Sequence, residues 1–114
     1  MIREKQSNIY IIGAGFAGHE IAAQIRSKSI LGNVVAFIDD NPGKIGTAID
    51  GIPVYGPISS MQSIMEHTPA DEALIAIPGA SSKQLRRIYT ILQNSAVSRI
   101  RILPRLSQII DGDA

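Results

Sequence analysis

The chain has 114 residues, 45% of them apolar, and a formal charge of +1 from 11 Lys and Arg against 10 Asp and Glu. This length and composition suit one domain with a substantial core, and the balanced charge gives no sign of a polyanionic partner. The lack of cysteine excludes disulfides, thiolate catalysis and cysteine-based zinc sites. Isoleucine outnumbers leucine by 21 to 6, a bias that favours buried strands over a helical bundle.

Apolar runs along the chain predict strands that are covered on both faces. They occupy residues 8–12, 34–38 and 73–77, with a patchier run at 100–103. The short segment 53–55 is a further strand, expected at a sheet edge because it contains Pro53. No apolar stretch reaches the roughly 20 residues that a membrane span needs, and the polar start does not resemble a signal peptide.

Helical spacing of apolar residues fills the gaps between these strands. One helix follows the first strand, with Ile21 and Ile25 on its apolar face, and two more are expected around residues 58–65 and 85–92. Alternating strands and helices predict an α/β fold, a Rossmann-like doubly wound parallel sheet of about five strands in the order 3-2-1-4-5. Residues 39–51 form the one long irregular loop, which is a candidate ligand loop.

A glycine-rich loop lies between the first strand and its helix. Residues 13–18 match the pattern G-x-G-x-x-G, with Gly13 for the tight turn, Gly15 for approach to a pyrophosphate and Gly18 for packing of helix on strand. Phe16 and Ala17 open the helix, whose N–H groups and partial positive charge suit phosphate oxygens. The pattern indicates a nucleotide site; the alternative is a turn whose glycines serve packing alone.

Two acids follow the second strand. Asp39 comes about 20 residues after Gly18, where an acid accepts hydrogen bonds from ribose hydroxyls. Asp40 is the weaker candidate, and both residues also fit an ordinary Asp-Asp-Asn-Pro turn. Because an aspartate repels a 2′-phosphate, the cofactor favoured by this pair is NAD rather than NADP.

The loop after the third long strand is a candidate for the opposite wall of the site. It contains Pro78 and Gly79, and ligands of open α/β sheets lie beyond the carboxyl ends of the strands. The alternative is a plain connection in which Ser81 or Ser82 caps the next helix.

The sequence offers no catalytic residues. The Tyr-x-x-x-Lys pair of short-chain dehydrogenases is absent, because the residues four positions after the three tyrosines are Ala14, Ser59 and Gln93. No metal site is expected either, since the only histidines, His19 and His67, form no ligand array. His19 is interpreted as a solvated residue in the first helical turn.

Six bases without an intervening acid lie near the carboxyl end. They are either solvated side chains or a docking face for another domain or an anionic membrane surface. The absence of interleaved aromatic residues argues against nucleic acid. The six are Lys83, Arg86, Arg87, Arg99, Arg101 and Arg105.

Taken together, the motifs resemble one family. They are Ile-Ile-Gly-Ala-Gly at 11–15, Phe-Ile-Asp-Asp-Asn-Pro at 37–42, Lys-Ile-Gly at 44–46, Gly-Ile-Pro-Val-Tyr-Gly at 51–56, Ala-Ile-Pro at 76–78 and Arg-Ile-Leu-Pro at 101–104. The chain resembles the amino-terminal nucleotide-binding domain of CapD-like bacterial polysaccharide-biosynthesis proteins, which are nucleotide-sugar 4,6-dehydratases, dehydrogenases and epimerases. The middle motifs are also similar to the UDP-sugar-holding domain of sugar N-acyltransferases and to a domain of polyprenyl-phosphate sugar transferases.

This resemblance implies an NAD(H)-binding domain that is accessory or regulatory and not catalytic alone. Residues 1–114 are expected to form a single domain, with its core at 7–112, and to be a fragment of a larger protein. The parent protein is expected at the inner face of the bacterial cell membrane, with this domain in the cytoplasm. The alternatives are a UDP-sugar-binding domain and a docking module with a degenerate nucleotide loop.

Overall fold

The computed structural model describes residues 6–103, in which strands and helices alternate. The strands are β1 (Ser7–Ile12), β2 (Gly32–Ile38), β3 (Ala48–Ile49), β4 (Ile52–Tyr55), β5 (Glu72–Ile75) and β6 (Arg99–Ile102). The helices are α1 (Phe16–Lys28), α2 (Met61–His67), which follows a 3-10 turn at Ile58–Ser60, and α3 (Ser82–Gln93). Arg105, the motif residues beyond 103 and the expected continuation of the core to 112 lie outside the described residues.

One sheet contains all of these strands, in the order β3-β4-β2-β1-β5-β6. The five strands expected from the sequence are β1, β2, β4, β5 and β6, and their pairings are all parallel. The α/β, Rossmann-like fold class is therefore confirmed. Because β1 and β2 pair as far as Ile12 and Ile38, the segments that follow them emerge side by side at the carboxyl edge of the sheet.

The outer edge next to β4 departs from the expectation. The sequence predicts an irregular loop over residues 39–51, yet Ala48 and Ile49 pair antiparallel with β4. The turn between them places Asp50 at φ 52° and Gly51 at φ 83°, and Asp-Gly is a favoured sequence for such a two-residue hairpin turn. The strand that contains Pro53 is therefore not the edge strand, and the sheet has six strands rather than five.

Helices cover both faces of the sheet. On one face, Ala22 and Ile25 of α1 pack against Ile9, Ile11 and Phe37. On the other face, α2 and α3 cover the remaining side chains of the same strands. Alternate residues of the central strands enter the two cores, which explains why their sequences read as unbroken apolar runs.

The second core contains one buried hydroxyl. Tyr10 of β1 is fully buried, and its hydroxyl donates to the carbonyl of Thr68. Burial, together with the nearby phenol of Tyr55, raises the pKa of Tyr10 to about 12. Tyr10 therefore stays neutral well above the ordinary range of a phenol.

The basic residues do not share one surface. Lys83, Arg86 and Arg87 lie on α3, whereas Arg99 and Arg101 alternate along β6 with Ile100, which packs towards the α3 side of the sheet. By the alternation of a strand, the two β6 arginines point to the opposite face. A docking role for these bases stays a prediction. Between residues 6 and 103, no helix combines the length and apolar character that a membrane crossing requires.

Candidate functional site

The glycine loop leaves β1 at the carboxyl edge of the sheet, and two of its glycines are needed by the fold. Gly13 has φ 109°, and a Cβ on it would lie 2.8 Å from the carbonyl oxygen of Ala76. A Cβ on Gly18 would lie 1.9 Å from the carbonyl oxygen of Gly13. Both positions therefore exclude any larger residue because the backbones pass so close to each other.

Gly15 has a different environment. It is exposed, and its φ of −89° is open to any residue. The nearest atom that its Cβ would meet is Nζ of Lys44, at 4.0 Å. Neither packing nor backbone conformation requires glycine here, so the space above the loop remains open to a ligand.

Helix α1 begins directly at this open position. Its N-cap is Gly15, and no side chain caps the first turn. The N–H groups at a helix start carry a partial positive charge and suit an anion. Phe16, the first helical residue, is 70% exposed and points away from the core, while Ala17 is half-buried.

Lys44 supplies a full positive charge at the same place. Its ammonium donates to the carbonyl oxygen of Ala14 at 3.3 Å. Among residues 6–103 it forms no ion pair with a carboxylate. From the sequence, Lys44 was noted only within the Lys-Ile-Gly motif, although it is the one base in the loop that follows the acid pair. Its position in the Asn-Pro-Gly-Lys turn could have identified it.

Asp39 ties the glycine loop to the end of β2. Its Oδ2 accepts the N–H of Ala14 at 2.7 Å, and its Oδ1 accepts the N–H of Asn41 at 2.8 Å. The carboxylate is thus held in one orientation, beside the glycine loop, by backbone groups of two loops. The bond from Asn41 is the aspartate turn that the sequence offers as the alternative reading, while the ribose-binding role of Asp39 stays a prediction.

Asp40 takes a separate position at the rim of the site. Its Oδ1 accepts the N–H of Ile58 at 2.7 Å. Its Oδ2 lies 3.7 Å from a guanidinium nitrogen of Arg87 on α3. Arg87, which the sequence places in a basic segment that is either solvated or a docking face, therefore belongs to the rim of this site.

A cleft of about 210 Å³ lies between these groups and α3. Its walls are mostly isoleucine side chains, and its polar lining comes from Asp39, Asp40, Gln84 and Arg87. The isoleucines are Ile12, Ile38, Ile58, Ile77 and Ile88. This composition, apolar walls with a few polar groups at one side, is typical of a small-molecule site.

The loop after β5 contributes to the opposite wall, but with other residues than those predicted. Ile77 and Ala80 line the cleft, whereas Pro78 and Gly79 are exposed and do not line it. The reason is that the loop turns outward before α3, where Ser81 and Gln84 form a reciprocal capping box. The helix cap at Ser81 is present, whereas a ligand-binding role for Pro78 and Gly79 stays a prediction.

His19 does not face the cleft. Its Nε2 lies 2.9 Å from Oδ2 of Asp50, in the turn between β3 and β4, and both side chains are more than half exposed. The interpretation of His19 as a surface residue agrees with this position. Within residues 6–103, no group of three or more His, Cys, Asp or Glu side chains is placed to hold a metal ion.

The fold and this site together define a Rossmann-like domain with a glycine loop, an acid at the end of the second strand and a cleft at the carboxyl edge of the sheet. A sequence profile described as a CoA-binding domain matches residues 1–104. The chain therefore belongs to this CoA-binding domain family.

A curated relative links the chain to polysaccharide synthesis. It is 33% identical over 115 residues to the probable polysaccharide biosynthesis protein EpsC of Bacillus subtilis, covering 97% of this chain and 19% of EpsC. The chain thus spans about a fifth of the length of EpsC.

Two solved structures also match the chain. A structure of UDP-D-quinovosamine 4-dehydrogenase from Vibrio fischeri matches with a TM-score of 0.81 and 29% identity, covering 95% of this chain and 86% of that one. RSP, a Rex-family repressor, solved with β-NADH, matches with a TM-score of 0.72 and 18% identity, covering 92% of this chain and 56% of that one. The second likeness concerns the fold alone. The resemblance to the Rossmann-like domain of polysaccharide-biosynthesis proteins is confirmed.

Proposed function

We propose that this domain binds NAD(H) over the glycine loop, as an accessory or regulatory part of a nucleotide-sugar-modifying enzyme of surface-polysaccharide synthesis. The observation that carries the proposal is the open backbone at Gly15, which neither the packing nor the conformation of the chain explains. A diphosphate placed there meets the first N–H groups of α1 and the ammonium of Lys44. Charge-assisted hydrogen bonds of this kind are stronger than neutral ones.

The carboxylate of Asp39 is suited to bind a ribose beside that diphosphate. Each of its carboxylate oxygens accepts one backbone N–H and retains further acceptor capacity. A ribose hydroxyl can therefore donate to Asp39 without releasing either loop. Because the carboxylate is already fixed, no orientation has to be imposed on it when the ligand binds.

Asp39 favours NAD(H) over two related cofactors. NADP(H) and coenzyme A both carry a phosphate monoester on the adenosine ribose, which the Asp39 carboxylate repels. NAD(H) presents free hydroxyls at that place. This argument sets NAD(H) above coenzyme A although the family takes its description from the latter.

The names of two relatives also favour an enzyme of nucleotide-sugar chemistry. EpsC is described as a polysaccharide-biosynthesis protein, the Vibrio fischeri protein as a dehydrogenase of a UDP-sugar, and RSP has been solved with NADH. A nucleotide-sugar enzyme that contains an NAD(H)-binding domain is consistent with all three. The name of the Vibrio fischeri relative also favours a second candidate, a domain that holds the UDP-sugar itself.

We expect the domain to have no dehydratase, dehydrogenase or epimerase turnover by itself. The sequence lacks the Tyr-x-x-x-Lys pair that would carry the proton transfer. The measurement is NADH formation or sugar conversion by the highly purified chain beside a heat-denatured control. Steady turnover above that control contradicts the accessory role.

Calorimetry with four ligands tests the binding proposal. Wild type is expected to bind NAD more tightly than NADP or coenzyme A, and more tightly than a UDP-sugar. Gly15→Leu should weaken NAD binding at least tenfold while leaving the melting temperature nearly unchanged, because the position is open. Gly13→Ala is the contrasting variant, in which the fold itself should be destabilised.

Lys44 gives an independent arm of the same experiment. Lys44→Ala should weaken NAD binding. Lys28→Ala removes the same charge at the far end of α1 and should leave NAD affinity unchanged. A wild type that binds the UDP-sugar and ignores NAD makes the domain a substrate-holding module. In that case the NAD(H) assignment is wrong.

A further inference from the structure

The rim of the cleft carries a hydrogen-bond acceptor that the fold leaves unused. The carboxylate of Asp40 is fixed by the bond from the N–H of Ile58 to its Oδ1. Its Oδ2 receives no hydrogen bond from residues 6–103, and its nearest cation is the guanidinium of Arg87 at 3.7 Å. That distance exceeds a normal hydrogen bond, so this oxygen remains an available acceptor.

Arg87 provides donors at the same place. Its guanidinium has five N–H groups, and none of them donates a hydrogen bond to the described part of the chain. Its head lies 3.7 Å from the Asp40 carboxylate at the rim of the cleft, and the side chain is 54% exposed. The backbone beneath it is fixed by the capping box of Ser81 and Gln84, one turn earlier in α3.

The size and shape of the cleft limit what can enter. Its volume of about 210 Å³ is below the roughly 300–1,000 Å³ of sites that enclose a drug-sized ligand. One ring system fits such a space, while the rest of a dinucleotide lies outside along the glycine loop. The isoleucine walls suit a flat, weakly polar ring rather than a sugar or a phosphate.

We propose that Asp40 and Arg87 read the edge of the adenine base of the bound dinucleotide. An acceptor and a donor 3.7 Å apart match a base edge on which an amino group stands beside a ring nitrogen. Adenine has this pattern at its exocyclic amino group and N7. Asp40 accepts from the amino group, and Arg87 donates to the ring nitrogen.

This inference rests on the proposed function, and it assigns to Asp40 and Arg87 a role that differs from ribose binding. The ion pair between them costs little to loosen, because an exposed pair of this kind contributes about 0–1 kcal/mol. Asp39 and the glycine loop bind the parts that every nucleotide shares. Asp40 and Arg87 distinguish one base from another.

The test compares NAD with its hypoxanthine analogue, in which a carbonyl oxygen replaces the adenine amino group. Wild type should bind NAD about tenfold more tightly than the analogue, since the analogue sets an acceptor against the Asp40 carboxylate. Asp40→Asn keeps an oxygen for the N–H of Ile58 and offers an amide donor to the cleft. This variant should lose the preference for NAD or reverse it.

Arginine variants complete the experiment. Arg87→Ala should weaken NAD binding several-fold, whereas Arg86→Ala, one residue away on the exposed side of α3, should leave it unchanged. Circular dichroism and melting temperature establish that each variant is folded. A wild type that binds both ligands equally, with no change in Asp40→Asn or Arg87→Ala, overturns the inference while the NAD(H) proposal stands. A wild type that binds neither ligand overturns both, and this result is visible before any variant is made.

Discussion

Two pairs of adjacent acids lie at opposite ends of the parallel strands, and their surroundings differ. Asp39 and Asp40 follow β2 at the carboxyl edge, where one carboxylate is half-buried and the other exposed. Asp71 and Glu72 lie at the amino end of β5, where Glu72 is only 3% exposed. Both pairs bind backbone N–H groups and border a hollow, but the hollow of about 210 Å³ beside the first pair has isoleucine walls, whereas that of about 270 Å³ beside the second is lined by polar side chains.

The two pairs also differ in the groups that hold their carboxylates. At the amino edge, Asp71 accepts the N–H of Asn8 at 2.8 Å, and Glu72 lies 2.9 Å from Nε of Arg101. These contacts join β1, β5 and β6. The Glu72 Oε2 meets Arg101 at ion-pair distance without a well-aligned hydrogen bond. At the carboxyl edge, loops diverge and acceptors remain available.

The largest effect is expected from removing the cation that partners the buried carboxylate of Glu72. Arg101→Ala leaves the carboxylate of Glu72 buried without its cation, so the free energy of unfolding should fall by about 3 kcal/mol. Arg99→Ala, two residues earlier on the same exposed strand, should change it by less than about 0.5 kcal/mol. Urea unfolding of both variants measures the difference. Equal losses contradict the assignment, and NAD affinity should stay at the wild-type value in both.

Asp39→Ala should affect both stability and binding. Two backbone N–H groups lose a charged acceptor, which predicts a loss of about 2–3 kcal/mol of unfolding free energy. Binding of NAD should weaken by about 1.5–3 kcal/mol, and the preference over NADP should narrow. Calorimetry and urea unfolding report the two effects separately. Asp71→Ala is the matched variant at the other edge, and an equal loss of NAD affinity there contradicts the distinction between the edges.

Tyr10 lies on β1, the strand that runs between the two acid pairs, and it makes the free energy of unfolding depend on pH. Burial raises the pKa of Tyr10 from 10.0 to about 12 in the folded chain, so the unfolded chain releases this proton first. The contribution of Tyr10 to the free energy of unfolding is therefore complete below pH 10. It falls by on the order of 2 kcal/mol as the pH rises to 12. Unfolding free energies of wild type and Tyr10→Phe should converge over this interval. A constant difference between them contradicts the assignment.

The smallest effects are expected from the bases on the outside of α3. Replacing Lys83 and Arg86 with alanine should change stability by less than about 0.5 kcal/mol and leave NAD affinity unchanged. If these bases dock the domain by charge, weaker binding to anionic vesicles or to other domains of the parent protein is the change to measure. Added salt should remove the difference between variant and wild type. Unchanged binding in both assays supports simple solvation.

The arrangement of the strands was predictable because it depends on local patterns. The apolar runs of β1, β2 and β5 indicate strands buried on two faces, and the intervening helical periodicity requires parallel connections. The glycine loop and Asp39 follow from the same order, since both come directly after strands. The antiparallel β3 was missed although Asp50 and Gly51 carry its turn signal, because a two-residue strand has no periodicity to detect.

Contacts between residues that are far apart along the chain could not be predicted from the sequence. Lys44 reaches the glycine loop from about 30 residues away, and Arg87 meets Asp40 across the cleft. No spacing rule connects these positions, because their distance depends on how loops of several strands converge. For the same reason, the sequence leaves open whether its run of bases is solvated or forms a docking face, and it does not show that α3 and β6 direct these bases to different sides of the sheet.

The brevity of β3 also bears on how the protein behaves at high concentration. A sheet that ends in a long, flat strand exposes a row of unpaired N–H and C=O groups to which another chain can add. Here the outermost strand has two residues, and the strand beside it contains Pro53, which has no N–H to offer. The β3–β4 hairpin itself therefore offers a second molecule few partners for extending the sheet.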